Sequence, residues 1–296
     1  MVFEIDAAHA ATTNVGPVKP LTFATFNVRT SERGGPAWKP RRARVLKLMR
    51  RTNADIVVLQ EATMIRPRVR PDGGTATPPL DRFPALWLAR KAGYKVVPAP
   101  HHPGLAPYYW HDGAQILYRP SRLSLKVNTC SPYKRPSQKI ADFTDRASGR
   151  SLRVVGMHLF HKQGKKFEQM RVRSLQHYDR FVRECITPVR DTTPTVWLGD
   201  LNTTKTTRGT LVGDELRSRG LRDSVKLAKN RSYTQLNTFR PGRTVKRQGK
   251  RIDQIWVPTG TQVHRWTQIV DIKNGRYSAE PGSDHNPVVA SITLPR

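Results

Sequence analysis

The sequence lacks the features that define several large classes of protein. Only two cysteines occur in 296 residues, so the chain is neither a disulfide framework nor the carrier of a cysteine-based zinc site, and Cys130 and Cys185 could form at most one bridge. No apolar run approaches the roughly eighteen residues that a membrane-spanning helix needs. The first twenty residues lack the basic and then apolar segments of a secretory signal. We therefore expect a soluble protein, whose compartment and oligomeric state stay open.

Acidic residues are also scarce. The chain has 22 Asp and Glu against 52 Lys and Arg, which gives a formal net charge of +30. A surface with this excess attracts polyanions such as nucleic acid, and such binding weakens steeply as salt is added. A solubilising surface is the plainer interpretation of the same charge. Composition therefore favours a polyanionic partner without identifying one.

Short apolar runs dominate the chain after residue 20. Residues 1–20 show no hydrophobic period and are interpreted as an N-terminal arm or linker before one domain over 21–296. Runs rich in β-branched residues, bounded by turn-formers or charges, are typical of buried strands: LTFATFNV, ADIVVLQ, AQILYR, SLRVVGMHL, TPTVWLG, IDQIWV and NPVVASITL. Segments 41–51 and 165–185 have helical spacing instead. Some strands are too close for crossover helices, which predicts mixed sheets in an α/β (α+β) fold.

Polar residues stand at the ends of these apolar runs, where a sheet presents its loops. In chain order they are Asn27 in FNVRT, Glu61 in LQEA, His158 in MHL, Asp200 and Asn202 in GDLN, Asp253 in RID, and Asp284 and His285 in SDHNPV. This series resembles the endonuclease/exonuclease/phosphatase superfamily, which includes deoxyribonuclease I, AP endonucleases, inositol polyphosphate 5-phosphatases and bacterial sphingomyelinases. The resemblance covers about residues 21–294, and GDLN and SDHNPV are its specific motifs.

The resemblance implies a four-layer sandwich, in which two packed mixed β-sheets are flanked by helices, and a metal-dependent reaction. Glu61 matches the family's metal-binding glutamate, and Asn27 the asparagine that helps to hold the metal or the phosphate. Asp284 matches the aspartate beside the catalytic histidine, a ligand or a neighbour of the ligands. Oxygen ligands of this kind suit Mg²⁺ or Mn²⁺, and Ca²⁺ is a further candidate.

The resemblance also implies a histidine–carboxylate pair. His285 matches the family's catalytic histidine and Asp253 the carboxylate that orients it, an arrangement that fixes the tautomer and raises the basicity of the imidazole. In family terms His285 either activates the attacking water or, when protonated, stabilises charge that develops on the phosphate. The residues alone do not choose between these two roles.

The remaining matched positions concern water and phosphate. Asp200 and Asn202 match the pair that orients the nucleophilic water and contacts the phosphate. His158 corresponds to a second histidine, present in deoxyribonuclease I and the phosphatases, that contacts the scissile phosphate. Alignment of AQILYRP with the equivalent strand of deoxyribonuclease I places Asp112 near the glutamate that supports that histidine, so Asp112 is a candidate partner of His158.

Two basic segments flank the matched acids. RPRVRP follows Glu61 and RPGRTVKRQGKR leads into Asp253; the candidate substrate-binding residues are Arg66, Arg68, Arg243, Lys246 and Arg247. An arginine-rich loop is most often a solvated surface. Two such loops beside a phosphate-cleaving site instead favour contacts along the backbone of a long polyanion.

The leading prediction is therefore a metal-dependent phosphodiesterase that hydrolyses DNA. FNVRT is close to the deoxyribonuclease I segment, although RID matches the AP-endonuclease style and keeps abasic-site cleavage open. A phosphatase or sphingomyelinase of the same fold is the first alternative, but the chain lacks the phosphatase-type PAWCDR sequence and a long apolar hairpin for a membrane. A catalytically silent nucleic-acid-binding module is the second, and it would not need the matched acids and histidine.

Overall fold

The computed structural model describes residues 19–31, 35–62, 83–98, 114–126, 138–186, 192–204, 210–278 and 282–295. In chain order the elements are β1 (Leu21–Asn27), α1 (Trp38–Thr52), β2 (Ile56–Gln60), α2 (Pro84–Ala92), β3 (Lys95–Val96), β4 (Ala114–Tyr118), β5 (Leu123–Leu125), β6 (Gln138–Asp145), β7 (Ser151–His158), α3 (Lys165–Ile186), β8 (Thr195–Asp200), α4 (Leu211–Ser218), β9 (Leu221–Asp223), α5 (Ser224–Leu227), β10 (Asn230–Ser232), β11 (Asp253–Pro258), β12 (Gln262–Gln268), β13 (Ile272–Lys273), β14 (Arg276–Tyr277) and β15 (Val288–Thr293).

Two large sheets form the centre of the fold. The first has the strand order β10-β12-β15-β1-β2-β4-β3 and the second β5-β6-β7-β8-β11-β9, while β13 and β14 form a separate hairpin. Both large sheets are mixed: β1 runs parallel to β2 and antiparallel to β15, and β8 runs parallel to β7 and antiparallel to β11. The predicted mixed sheets are confirmed.

Three apolar layers hold the sheets and helices together. Phe23, Val58, Phe143 and Val154 belong to the core between the two sheets. The outer face of the first sheet packs against α1 and α2, and the outer face of the second packs against α3 and α4. Because each sheet buries one face on its partner and the other under helices, four layers result. The predicted α/β (α+β) four-layer sandwich is confirmed.

The predicted elements lie where the sequence placed them. All seven apolar runs contain a strand, and segments 41–51 and 165–185 lie within α1 and α3. The apolar runs do not include the longer strands β6 and β12, whose sequences QKIADFTD and QVHRWTQ mix polar and apolar residues. They also do not include the short strands β9, β10, β13 and β14. The first strand begins at Leu21, and the boundary of a separate 1–20 arm stays a prediction. Within the described segments, no helix is both long and apolar enough to cross a membrane.

Candidate active site

The strand register brings the matched residues to one edge of the sandwich. In the first sheet Asn27 ends β1 opposite Gln60, and Glu61 follows directly. In the second sheet Asp200 ends β8 opposite both His158 of β7 and Asp253 of β11. Since β11 is antiparallel to β8, its first residue meets the last residue of β8. Ends of strands that are far apart in sequence therefore form one site.

Asn27 joins the two sheets at this edge. Its Nδ2 donates to Glu61 Oε1 at 3.0 Å and to Asp200 Oδ2 at 3.1 Å. Glu61 adopts a φ of 56°, which turns the chain away from β2, and its Oε2 accepts a hydrogen bond from Thr30 N at 2.8 Å. Burial raises the pKa of Glu61, but the hydrogen bonds from Asn27 and Thr30 and the two nearby histidines outweigh burial and hold the pKa below its ordinary value. Glu61 is therefore ionised at neutral pH.

His285 and Asp253 form a buried pair. The Nδ1 atom of His285 lies 2.9 and 3.1 Å from the two carboxylate oxygens of Asp253, and the backbone N–H of His285 donates to Ser283 Oγ at 3.1 Å. Burial lowers the pKa of His285, but the carboxylates of Asp253, Asp200 and Asp284 outweigh burial and raise the pKa to about 10. The imidazole is therefore a cation at neutral pH, which favours charge stabilisation over proton abstraction.

Asp200 occupies the centre of the site. Its Oδ1 accepts a hydrogen bond from Asn202 N at 2.9 Å, and its Oδ2 lies 3.8 Å from His158 Nε2 and 3.9 Å from His285 Nε2. Burial, followed by the charge of Asp253, raises the pKa of Asp200 despite the opposing effect of the histidines and Asn27. Such a carboxylate holds a proton more readily than an exposed one.

The GDLN segment has a strict local geometry. A Cβ on Gly199 would stand 2.0 Å from Met157 O, so the close approach of β7 and β8 requires glycine there. Asn202 adopts a φ of 52°, and its Nδ2 donates to Leu159 O at 2.9 Å. This contact ties Asn202 to the chain that follows His158, while the predicted phosphate contact of Asn202 stays a prediction.

Two matched residues have partners that the sequence did not predict. His158 Nε2 lies 3.9 Å from Glu61 Oε1, and its predicted partner Asp112 lies outside the described residues. Asp284 Oδ2 lies 3.3 Å from Arg29 Nε. The roles of both residues in the reaction stay predictions.

The acidic centre has the chemistry of a divalent-metal site. Glu61 Oε1 and Asp200 Oδ2 share the Asn27 amide, so two carboxylate oxygens, the kind of atom that Mg²⁺ and Mn²⁺ prefer, converge from different sheets. Asp200, Asp253 and His285 also have donor atoms within 4.8 Å of one another. Asp253 is engaged by His285 Nδ1, and a protonated imidazole has no lone pair for a metal. We therefore favour the edge formed by Glu61 and Asp200 as the place for an ion.

The segment 240–251, here called the basic loop, lies beside His285. Phe239 forms an isolated β-bridge with His285, and their ring centroids are 5.1 Å apart. Arg243, Lys246 and Arg247 are exposed, whereas Arg240 is buried against Tyr277, with its guanidinium 4.6 Å from the ring centroid. The three predicted substrate-binding cations of this loop thus face solvent. Arg66 and Arg68 lie outside the described residues.

Sequence reasoning missed Arg41. This side chain is 6% exposed and donates to the carbonyls of Val28 and Arg29 and, at 2.9 Å, to Gly282 O. Burial and Arg29 lower its pKa to about 10, against the opposing charges of Asp284 and Glu61. Arg41 therefore links the loop after β1 to the loop before His285. In the sequence it is one of several arginines at the start of a helix, and nothing there marks it as buried.

A protein-family model matches most of the chain. The family model described as "Endonuclease/Exonuclease/phosphatase family" matches residues 24–285, which include Asn27 and His285. Curated protein sequences give no match.

Solved structures of similar fold cover nearly the whole chain. A Bacteroides thetaiotaomicron protein of the same family is 22% identical with a TM-score of 0.66, over 92% of this chain and 97% of that one. A mannosyl-6-phosphatase from the same organism is 21% identical with a TM-score of 0.64, over 93% and 100%. D. rerio TDP2, complexed with a single-strand DNA product, is 18% identical with a TM-score of 0.56, over 93% and 99%. These likenesses concern the fold.

Proposed function

This chain belongs to the endonuclease/exonuclease/phosphatase family, whose members hydrolyse phosphoesters, typically with a divalent metal, and we propose that it is a phosphodiesterase that cleaves DNA. The observation that carries the proposal is the position of the basic loop. Its exposed Arg243, Lys246 and Arg247 follow Phe239, which contacts His285. A small phosphate ester would occupy the acidic centre alone, whereas DNA would also present phosphates to these cations.

The roles of the central residues follow from their protonation. His285 carries its proton on an imidazolium held by Asp253, so its Nε2–H is available to a phosphate oxygen and stabilises the charge that develops there. Asp200 has a raised pKa and one oxygen, Oδ1, engaged by Asn202 N. Its Oδ2 is positioned to orient the attacking water and accept a proton from it as the new P–O bond forms.

Glu61 would hold the metal beside Asp200, and Asn27 fixes the position of both carboxylates. Asn27 and Asp284, the other two predicted ligands, belong to the same proposal. A bound Mg²⁺ or Mn²⁺ would polarise the phosphate oxygens and offset charge on the leaving oxygen.

Two structures of similar fold suggest two different substrate classes for this chain, and DNA is one of them. D. rerio TDP2 was solved with a single-strand DNA product, and a neighbour of similar fold is a mannosyl-6-phosphatase. The formal charge of +30 and the exposed basic loop favour the polyanion for this chain, because a sugar phosphate needs no extended cationic surface.

The test is a substrate panel on wild type and on the triple variant Arg243→Gln, Lys246→Gln, Arg247→Gln. The panel contains plasmid DNA, single-stranded DNA, an abasic duplex, RNA, inositol phosphates, mannose 6-phosphate, sphingomyelin and a small synthetic diester, each with Mg²⁺, Mn²⁺ and Ca²⁺. We expect wild type to prefer DNA. The triple variant should bind duplex DNA with a shallower dependence on salt, by about 0.9 in the log–log slope for each lost contact, and should hydrolyse the small diester as wild type does.

Two other outcomes of the panel would contradict the proposed cleavage of DNA. If wild type at matched concentration prefers inositol phosphates, mannose 6-phosphate or sphingomyelin to every nucleic acid, the basic loop is a solvated surface and the protein is a phosphatase-type member of the family. Binding of DNA without cleavage of any substrate under any metal would identify a silent binding module.

A further inference from the structure

A second cationic segment flanks the acidic centre on the side away from the basic loop. Residues 160–166, here called the lysine loop, have the sequence FHKQGKK and follow His158. Lys162, Lys165 and Lys166 are all exposed. The segment contains no acid, and the nearest one along the chain, Glu168, is buried and paired with Arg171 at 2.8 Å. The lysine loop is thus a concentrated patch of positive charge.

Buried side chains hold the backbone of the lysine loop in place. Arg171 is 1% exposed and donates to Phe160 O at 2.9 Å and to Lys162 O at 2.5 Å. Gln163 Nε2 donates to Asn202 O at 3.2 Å, and the backbone N–H of the same Asn202 donates to Asp200 Oδ1. Because the buried guanidinium of Arg171 and the backbone of Asn202 both bind this loop, the loop has a defined position relative to the site.

Helix stability does not account for the lysines. Lys165 and Lys166 are the first two residues of α3, where the helix dipole disfavours positive charge. Lys162 lies with its Nζ 6.0 Å from the ring centroid of Phe167. The lysine loop therefore has three exposed lysines within or just before the first turn of α3, where the positive charge of Lys165 and Lys166 is unfavourable and a bound polyanion would offset it.

The sheet order places the two cationic segments on opposite flanks. In the second sheet β8 lies between β7 and β11; β7 ends at His158 and leads into the lysine loop, and the basic loop leads into Asp253 of β11. Neighbouring strands are about 4.8 Å apart, so the strand ends to which the two loops are joined, His158 and Asp253, lie roughly 10 Å apart with Asp200 between them. A single phosphate group cannot span that distance.

We propose that the lysine loop binds the phosphates on one side of the scissile bond while the basic loop binds those on the other. The substrate would then be a nucleic acid strand that continues through the site in both directions, and cleavage would be internal rather than restricted to an end. This inference rests on the proposed function, since it specifies how that same site holds its substrate.

The matched control comes from lysines at the opposite ends of the strands. Lys95 pairs with Tyr118, which faces Ile56 at the start of β2, and Lys91 lies at the end of α2 close by. Lys229 N donates to Val263 O, at the end of the first sheet away from Asn27. All three are exposed. The change of Lys91, Lys95 and Lys229 to glutamine removes the same charge far from the site.

The experiment compares wild type, the lysine-loop triple Lys162→Gln, Lys165→Gln, Lys166→Gln, and the control triple. Binding of a labelled DNA duplex is measured by anisotropy in chelator across a salt series, and nicking of covalently closed plasmid is measured with Mg²⁺ or Mn²⁺. We expect wild type to nick the closed circle. The lysine-loop triple should lose up to about 2.7 from the log–log salt slope and nick more slowly at 150 mM salt, and the control triple should lose little.

Hydrolysis of a small synthetic diester separates this result from damage to the site. It should be equal in all three proteins, and circular dichroism should show that all three are folded. If wild type cleaves DNA but the lysine-loop triple matches the control triple in slope and nicking, or if only linear DNA with a free end is cleaved, the inference is overturned and the proposed function stands. If no nucleic acid is cleaved, the proposed function itself fails.

Discussion

Replacement of Asp253 by asparagine tests the central electrostatic feature of the site. The change keeps the shape of the side chain but removes the charge beside His285 Nδ1, 2.9 Å away. Burial, which lowers the pKa of His285, would then be opposed only by Asp200 and Asp284. The pKa of His285 should fall from about 10 toward or below the ordinary 6.5.

The size of the effect follows from the energy of a buried ion pair. A tenfold change in proton affinity is worth about 1.4 kcal/mol, so a complete return to the ordinary pKa corresponds to about 5 kcal/mol. Removal of one partner of a buried pair costs about 3–5 kcal/mol, which agrees with this range. Loss of a positioned protonated group at the phosphate should lower turnover by about 100-fold to 10,000-fold.

Two measurements check the sign of the change. Because the folded-state pKa of His285 lies above the ordinary value, its contribution to stability is fully present below about pH 6.5 and is lost as pH rises through about 10. The pKa itself is measured by NMR titration of the metal-free protein, which should show a histidine that titrates only at high pH in wild type and at lower pH in Asp253→Asn. The alkaline limb of the pH–rate profile for DNA cleavage should move in the same direction.

The same pair predicts non-additive losses. His285→Ala and Asp253→Asn should each remove most of the turnover, and the double variant should be little worse than the more damaging single variant, because the residues act as a unit. Multiplication of the two losses in single-turnover kinetics, or an alkaline limb that does not move in Asp253→Asn, would show that His285 and Asp253 do not act as a pair.

Further predictions concern the metal and the scaffold. Chelation should abolish turnover while leaving circular dichroism unchanged, and Glu61→Gln should respond poorly to added Mg²⁺; undiminished hydrolysis after exhaustive chelation would contradict the metal proposal. Arg41→Lys should lower the free energy of unfolding by about 1–3 kcal/mol in denaturant unfolding, because lysine cannot donate to all of the carbonyls that Arg41 contacts. A loss below roughly 0.5 kcal/mol, the size typical of a surface substitution, would contradict the structural role of Arg41. Gly199→Ala should cost about 3 kcal/mol or more through the clash with Met157 O, whereas Gly242→Ala, with open space around it, should be close to neutral.

The local patterns of the sequence were sufficient for the framework of the fold. Apolar runs such as LTFATFNV and TPTVWLG became buried strands, because a strand that is covered on both faces needs a continuous apolar run. The two longest strands that were not predicted, β6 and β12, contain residues such as Lys139 and Arg265 among their apolar ones. Polar and apolar residues that mix in this way give a weaker signal than a continuous run.

The motifs likewise marked most of the residues at the candidate site, and the structure brings together those that it describes. A hydrogen bond or a distance below 4 Å joins each of these residues to at least one other: Asn27, Glu61, Asp200, Asp253 and His285. Their distances, and therefore the pKa values that suggest their roles, depend on burial and on strand register. Neither property is present in a list of residues.

The arginines differ in burial for a reason that lies in the packing of the fold. Arg41, Arg171 and Arg240 look the same in the sequence as the exposed Arg243, yet the first three are buried. Arg41 donates to a carbonyl 241 residues away, and a guanidinium can be buried only where such acceptors converge on it. Composition alone could establish that the chain is strongly basic. Which cations stabilise loops and which face solvent depends on contacts between distant segments, and these exist only once the sheets have packed.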